Sequence, residues 1–162
     1  MKLKYFPRKI VMIFLLLLIP VYLCAQTVSP AVEFENLLNT DVVTYAQACR
    51  FILEAAEIFV TSDPEEAFRY AADRGWLRKN IGSQTRAQLN HISCLLTHSF
   101  DIKGGLLYSI TKSPRYAYRE LKYINVIQGR VDATMFVSGE RLIFYVNRLL
   151  GRRHVEITIL EN

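Results

Sequence analysis

One stretch of this chain is echoed fifty residues later. Thr61, Pro64, Ala67 and Arg69 recur as Thr111, Pro114, Ala117 and Arg119, with Phe68 answered by Tyr118 and Asp63 by Ser113. In both copies a capping-type residue stands directly before a proline, which is how helix N-termini are commonly written, because the missing proline N–H would have had no intrahelical partner. A repeated start signal implies a repeated structural unit, and that constrains the fold more than any composition figure does.

The unit reads as helix, loop, helix. In the second copy Asp63 caps, Pro64 takes the first helical position and Glu66 completes a capping box. Ala67, Phe68, Ala71 and Ala72 form the apolar stripe, and the helix stops near Gly75. Trp76-Leu77 leads into a polar loop through Asn80, Gly82 and Ser83. A second box, Thr85-x-x-Gln88, then opens a helix carrying Leu89, Ile92 and Leu96 to about Phe100. The third copy opens at Ser113-Pro114, runs through Tyr118, Leu121 and Ile124, and turns at Asn125 to Gly129. After a slightly longer loop, Arg130 to Val137, Ser138 caps a helix carrying Leu142, Ile143, Val146 and Leu149, with Gly151 as its stop. The first copy opens at Ser29-Pro30, and Thr44-x-x-Gln47 gives a box before Ala48, Phe51, Ile52, Ala55, Ala56 and Phe59. The expectation is an all-α fold of three helix pairs, none able to bury its apolar stripe alone. The copies span approximately 29–60, 61–100 and 111–150. In residues 152–162, Val155, Ile157 and Ile159 alternate at strand period, which reads as a short docked C-terminal strand or a tail.

The N-terminus reads as a targeting segment. Lys2, Lys4, Arg8 and Lys9 precede an apolar run from Ile10, ending in small residues at Ala25. That run is shorter than the roughly 20 residues a spanning helix needs. Export to the periplasm or cell envelope with cleavage after Ala25 is the expectation; lipidation at Cys24 and an uncleaved anchor are the alternatives, and either would bring membrane contact. Losing residues 1–25 removes four of the 20 basic groups and none of the 15 acids, so the net charge falls from +5 to +1. The basicity belongs largely to the leader, which takes away the charge argument for a nucleic-acid partner. Cys49 and Cys94 remain; both sit in apolar helical patterns and read as buried free thiols, with one disulfide as the alternative.

Three helix-loop-helix units with capped second helices resemble the S-layer homology domain. The residues that carry the resemblance are Ala117 to Gly129, Asp132 and Val137-Ser138 in the third copy, and Ala71 to Leu77 followed by Thr85-Arg86-Ala87-Gln88 in the second. In the first they are Val43 to Ala48. The resemblance implies a pseudo-threefold bundle that attaches exported proteins to the cell wall. Peptidoglycan or an anionic cell-wall polymer would lie in grooves between motifs, held by the family's Thr-Arg-Ala-Glu arginine and neighbouring polar groups. Carried onto this chain, the ligand-binding residues are Thr85, Arg86 and Gln88, with Thr44, Gln47, Ser138 and Arg141 at the other helix starts. The arginine itself is matched by Arg86 alone, since Tyr45 and Gly139 follow the other caps.

Other constellations weigh less. His91, Cys94 and His98 fall at i, i+3, i+7, but His91 and His98 are about 10 Å apart along a helix axis, too far to share one metal ion easily. Lys112, Arg115, Arg119, Lys122 and Arg130 interleave with Tyr116, Tyr118 and Tyr123, a pattern that suits an anionic polymer surface or an ordinary solvated face. No nucleophile elbow, phosphate loop or metal-ligand motif is present, so neither catalysis nor a cofactor is expected. The functional expectation is a non-enzymatic envelope-binding module; the alternative is an envelope protein–protein interaction module, with residues Val155 to Ile159 offered for β-strand addition.

Overall fold

The computed structural model describes residues 30–160, so the expected leader and its cleavage or lipidation site lie outside the described residues. The chain divides into two units, one ending at Glu35 and the other beginning at Asn36; of the first, only the opening of a helix is described. Among the described residues the fold is all-α, with seven helices: α1 (Pro30–Leu38), α2 (Tyr45–Ala55), α3 (Pro64–Asp73), α4 (Leu89–Ser99), α5 (Leu106–Thr111), α6 (Pro114–Tyr123) and α7 (Gly139–Leu160).

The prolines and left-handed residues do what their chemistry dictates. Pro64 and Pro114 take the first positions of α3 and α6. Asp63 caps α3 by accepting from the Glu65 N–H at 2.9 Å. Glu66 does not complete a capping box there; its carboxylate accepts from the Thr61 hydroxyl at 2.5 Å instead. Four helices end the same way, with a left-handed residue (Glu57, Gly75, Asp101, Asn125) followed by an apolar one (Ile58, Trp76, Ile102, Val126). The apolar residue's N–H returns to a carbonyl five positions back: Leu53, Ala71, Thr97 and Leu121 respectively. This paired closure satisfies terminal carbonyls and turns an apolar side chain back toward the helix it ends.

Two expected boundaries are corrected. The Thr85-x-x-Gln88 box does not form: α4 starts at Leu89 with Gln88 as its cap residue, and the Gln88 side chain makes no cap bond. With α4 starting there and α7 at Gly139, the connections from α3 to α4 and from α6 to α7 are equal in length, so the third copy's loop is not the longer one. The C-terminal segment is neither strand nor tail. α7 runs through Gly151, which does not stop it, to Leu160. Three arginines fix the course of this helix. Arg148 bonds the Asn125 carbonyl and, at 2.9 Å, Gln128 Oε1. Arg152 reaches the Ile124 carbonyl at 3.4 Å and Arg153 the Ala56 carbonyl at 3.3 Å. Ile124 and Ala56 end α6 and α2, so these cations sit on the negative ends of two helix dipoles. α5 has no counterpart in the sequence reading and occupies part of the connection between the second and third copies.

At the centre, the residue preceding each long helix's cap enters a closed exchange of backbone hydrogen bonds. Val43 N–H donates to Val137 O at 2.9 Å, Val137 N–H to Ala87 O at 3.0 Å, and Ala87 N–H to Val43 O at 2.9 Å. All three residues are buried, and each bond satisfies groups that would otherwise be orphaned away from water. Around this ring packs the core, led by Ile52, Leu53, Ile92, Leu95, Leu121 and Leu142. Gly139, the first residue of α7, approaches so closely that a Cβ there would collide with the Leu37 carbonyl; at Gly151 a Cβ would meet nothing. Gly139→Ala is therefore expected to lower unfolding stability by about 3 kcal/mol or more, since backbone must move to admit a methyl group. Gly151→Ala should raise stability by about 1 kcal/mol, as a glycine-to-alanine change within an exposed helix does. Urea denaturation of the two variants checks both signs, and an unaltered Gly139→Ala transition would contradict the close approach.

Candidate functional site

The starts of α2, α4 and α7 are where the resemblance places a ligand, and the structure decides what each group there has free. Thr44 and Gln47 form the expected capping box: Thr44 Oγ1 accepts from the Gln47 N–H at 3.3 Å, and Gln47 Oε1 accepts from the Thr44 N–H at 2.9 Å. Ser138 Oγ accepts from the Arg141 N–H at 3.4 Å. Gln88 gives its backbone N–H to the Tyr45 hydroxyl at 3.1 Å.

The amides that would attract an anion are already engaged. Tyr45 N–H bonds Thr85 O at 3.1 Å, and Ala46 N–H bonds Ser83 O at 2.9 Å. Leu89 N–H bonds Met135 O at 2.9 Å, Asn90 N–H bonds Ala133 O at 2.8 Å, and Gly139 N–H bonds Thr40 O at 2.9 Å. Each helix start is thus capped by carbonyls of a segment leading into another helix. An anion binds a helix N-terminus through its unpaired N–H groups, and five of those groups are spent here.

Thr85 and Arg86 lie in the segment before α4, not in its first turn. Residues Tyr45, Leu89 and Gly139 share the first helical position, two buried side chains and a glycine, so none of these three helices begins with an arginine. Counted back from those starts, Arg86 corresponds to Val42 and Phe136. Its backbone pairs antiparallel with Thr44, and that of Gln88 pairs with Phe136. The Arg86 side chain is exposed, with Cζ 5.7 Å from the centroid of the Phe136 ring, itself 43% exposed. Arg86, Phe136 and Thr44 therefore come together. Arg141 Nη1 lies 3.0 Å from Sδ of Met135, the residue before Phe136.

The His91, Cys94 and His98 stripe disperses to separate partners. His91 Nδ1 shares a hydrogen bond with the Tyr45 hydroxyl at 2.8 Å. Cys94 Sγ lies 3.8 Å from the Lys112 carbonyl. His98 stacks on Trp76 with centroids 5.6 Å apart and planes 3° from parallel. Among the described residues no group of three His, Cys, Asp or Glu side chains is arranged to hold a metal ion. Cys49 and Cys94 are free and buried, and burial pushes Cys49 up to about 12 and Cys94 up to about 11, the latter against the pull of Lys112.

Sequence reasoning missed a ladder of rings. Phe59 stacks on Tyr70 at 4.5 Å, Tyr70 meets Trp76 edge-on at 6.3 Å, and Trp76 passes contact to His98, which leans toward Tyr108 at 6.2 Å. The Arg74 guanidinium sits 3.4 Å over Tyr70. These rings come from positions with no shared period, and the composition alone, nine Phe and nine Tyr, was the available signal. No known protein family matches this chain, and neither a curated protein nor a solved structure does.

Both histidines titrate below the ordinary imidazole range, first because burial disfavours the cation, and further because of Arg78 for His91 and Lys112 for His98. The unfolded chain then binds more protons than the folded one between those depressed values and about 6.5. Stability therefore rises with pH through that window and is lost as the pH falls below about 6.5. Comparing urea denaturation near pH 7.5 and pH 5.5, His91→Gln/His98→Gln should lose less stability than the parent; an unchanged slope would remove the histidines as its source.

Proposed function

We propose that this chain is an exported, non-enzymatic cell-envelope binding module that recognises peptidoglycan or an anionic wall polymer, built as a divergent three-motif relative of the S-layer homology domain. The observation that carries the proposal is the Arg86–Phe136 pair beside the Thr44 cap. A guanidinium fork pairs with a carboxylate through two parallel hydrogen bonds, and a half-exposed ring next to it offers a flat apolar face to a sugar. Arg86 is exposed and its neighbour is aromatic, so the two together present a charge and a stacking surface at one place.

Binding in this proposal differs from the family's in two respects. The guanidinium comes from the segment before the helix, and the helix N-terminal amides take no part because other carbonyls occupy them. Thr85, Gln88, Thr44, Gln47 and Ser138 then serve as frame rather than as ligand contacts. β-strand addition through residues Val155 to Ile159 is not part of the proposal, since that segment is helical.

Co-sedimentation with purified sacculi tests it. The parent protein should pellet with sacculi, and Arg86→Ala should weaken the association by about tenfold, the worth of one charge-assisted contact. Arg86→Lys, which keeps the charge and loses the fork, should fall between them. Full retention by Arg86→Ala would sink the Arg86 assignment; a parent protein that stays in the supernatant would sink the wall-binding function.

A further inference from the structure

We propose that the corner formed by α5 and α6 is a docking surface for an anionic lipid bilayer. α5 displays Leu106, Leu107 and Ile110 at 77%, 54% and 72% exposure. At 3.6 residues per turn these three side chains fall within an arc of about 100°, with Tyr108 on the opposite side. Tyr108 is buried, its hydroxyl lies 2.6 Å from Thr97 Oγ1, and it packs with Cys94 and Ala117. The inward face of α5 is thus fixed, and the aliphatic arc faces outward as a consequence. A contiguous group of large aliphatic side chains on a surface marks a place where something else binds.

Charge identifies the occupant. Between residues 103 and 123 the chain carries Lys103, Lys112, Arg115, Arg119 and Lys122 against a single acid, Glu120. All five cations are exposed, whereas Glu120 is half-buried and its carboxylate lies against Gly105, at the start of α5. Arg115, Arg119 and Lys122 recur at i, i+4 and i+7 along α6, so they share one stripe. Short aliphatic insertions framed by lysine and arginine are the composition of an interfacial membrane contact, where apolar side chains enter the acyl boundary and cations meet anionic headgroups. Protein interfaces are depleted in lysine, which supplies three of these five cations. The surface is independent of whether the N-terminal segment is retained, and of the wall-binding function.

Tryptophan fluorescence of the full chain tests the assignment, because Trp76 is the only native tryptophan, is half-buried, and approaches α5 through His98 on the Tyr108 side, opposite the aliphatic arc. Leu107→Trp, and independently Ile110→Trp, would be mixed with vesicles of phosphatidylglycerol and phosphatidylcholine carrying brominated acyl chains. The expected result is a blue shift and quenching of the added tryptophan that the parent's Trp76 does not show. Quenching should weaken at high salt, and Arg115→Glu/Arg119→Glu should reduce apparent affinity at least tenfold, since each cation near such a surface is worth about fivefold. An added tryptophan left unquenched while the protein floats with the vesicles would overturn the proposal, because another part of the chain would then be making the contact. Equal quenching by purely phosphatidylcholine vesicles would overturn the choice of an anionic surface. A blue shift that grows with protein concentration without vesicles would assign the corner to a second copy of the chain instead.

Discussion

Three backbone hydrogen bonds, from Val43 to Val137, Val137 to Ala87 and Ala87 to Val43, set the arrangement of everything around them. They join residues 94, 50 and 44 positions apart, so the exchange closes only when distant parts of the chain have come together, and each bond has then been removed from water. Because every donor in the exchange has an acceptor within it, no edge is left open. The same logic extends outward, where the first amides of α2, α4 and α7 are closed by carbonyls of neighbouring segments. The helix starts are thus capped by one another as well as by the Thr44 and Ser138 side chains.

That economy has a chemical cost. The positive end of a helix is a ready anion site only while its N–H groups are free, and this architecture consumes them. In the proposed wall-binding function, recognition comes instead from side chains projecting off the connecting segments, Arg86 beside Phe136 first among them. The ring ladder from Phe59 to Tyr108 contributes to cohesion instead: stacked and edge-on pairs at these spacings add to burial rather than leave faces open.

Much of the fold was legible because local signals were sufficient where local groups do the work. Pro64 and Pro114 open their helices, Gly75 and Asn125 close theirs, and Thr44 with Gln47 forms the box its spacing implies. The reading failed where distant parts of the chain supply the partner. Thr85 and Gln88 have the spacing of a box, but Met135 and Ala133 provide the acceptors for α4, and the helix begins after the motif ends. Residues Val155 to Ile159 alternate like a strand over a stretch too short to discriminate. What decides is the preceding turn, where Arg148, Arg152 and Arg153 tie α7 to the ends of α6 and α2. α5 is six residues long and has no side-chain cap, and the single turn of Leu106, Leu107 and Ile110 is too short a pattern to distinguish it from loop. The Arg86 site was legible as a residue but not as a position: its place opposite Thr44 and over Phe136 depends on pairings between segments that no local pattern encodes.

Gly139 shows how packing can limit what a protein is able to become. Its α-carbon lies against the Leu37 carbonyl, so the opening position of α7 is closed to every side chain. Tyr45 and Leu89 fill the matching positions of α2 and α4 with groups the core requires. Single substitutions therefore have no route by which a binding group could be installed at the first position of any of these helices. The connecting segments are under no such restriction, and there Val42, Arg86 and Phe136 already differ at equivalent positions.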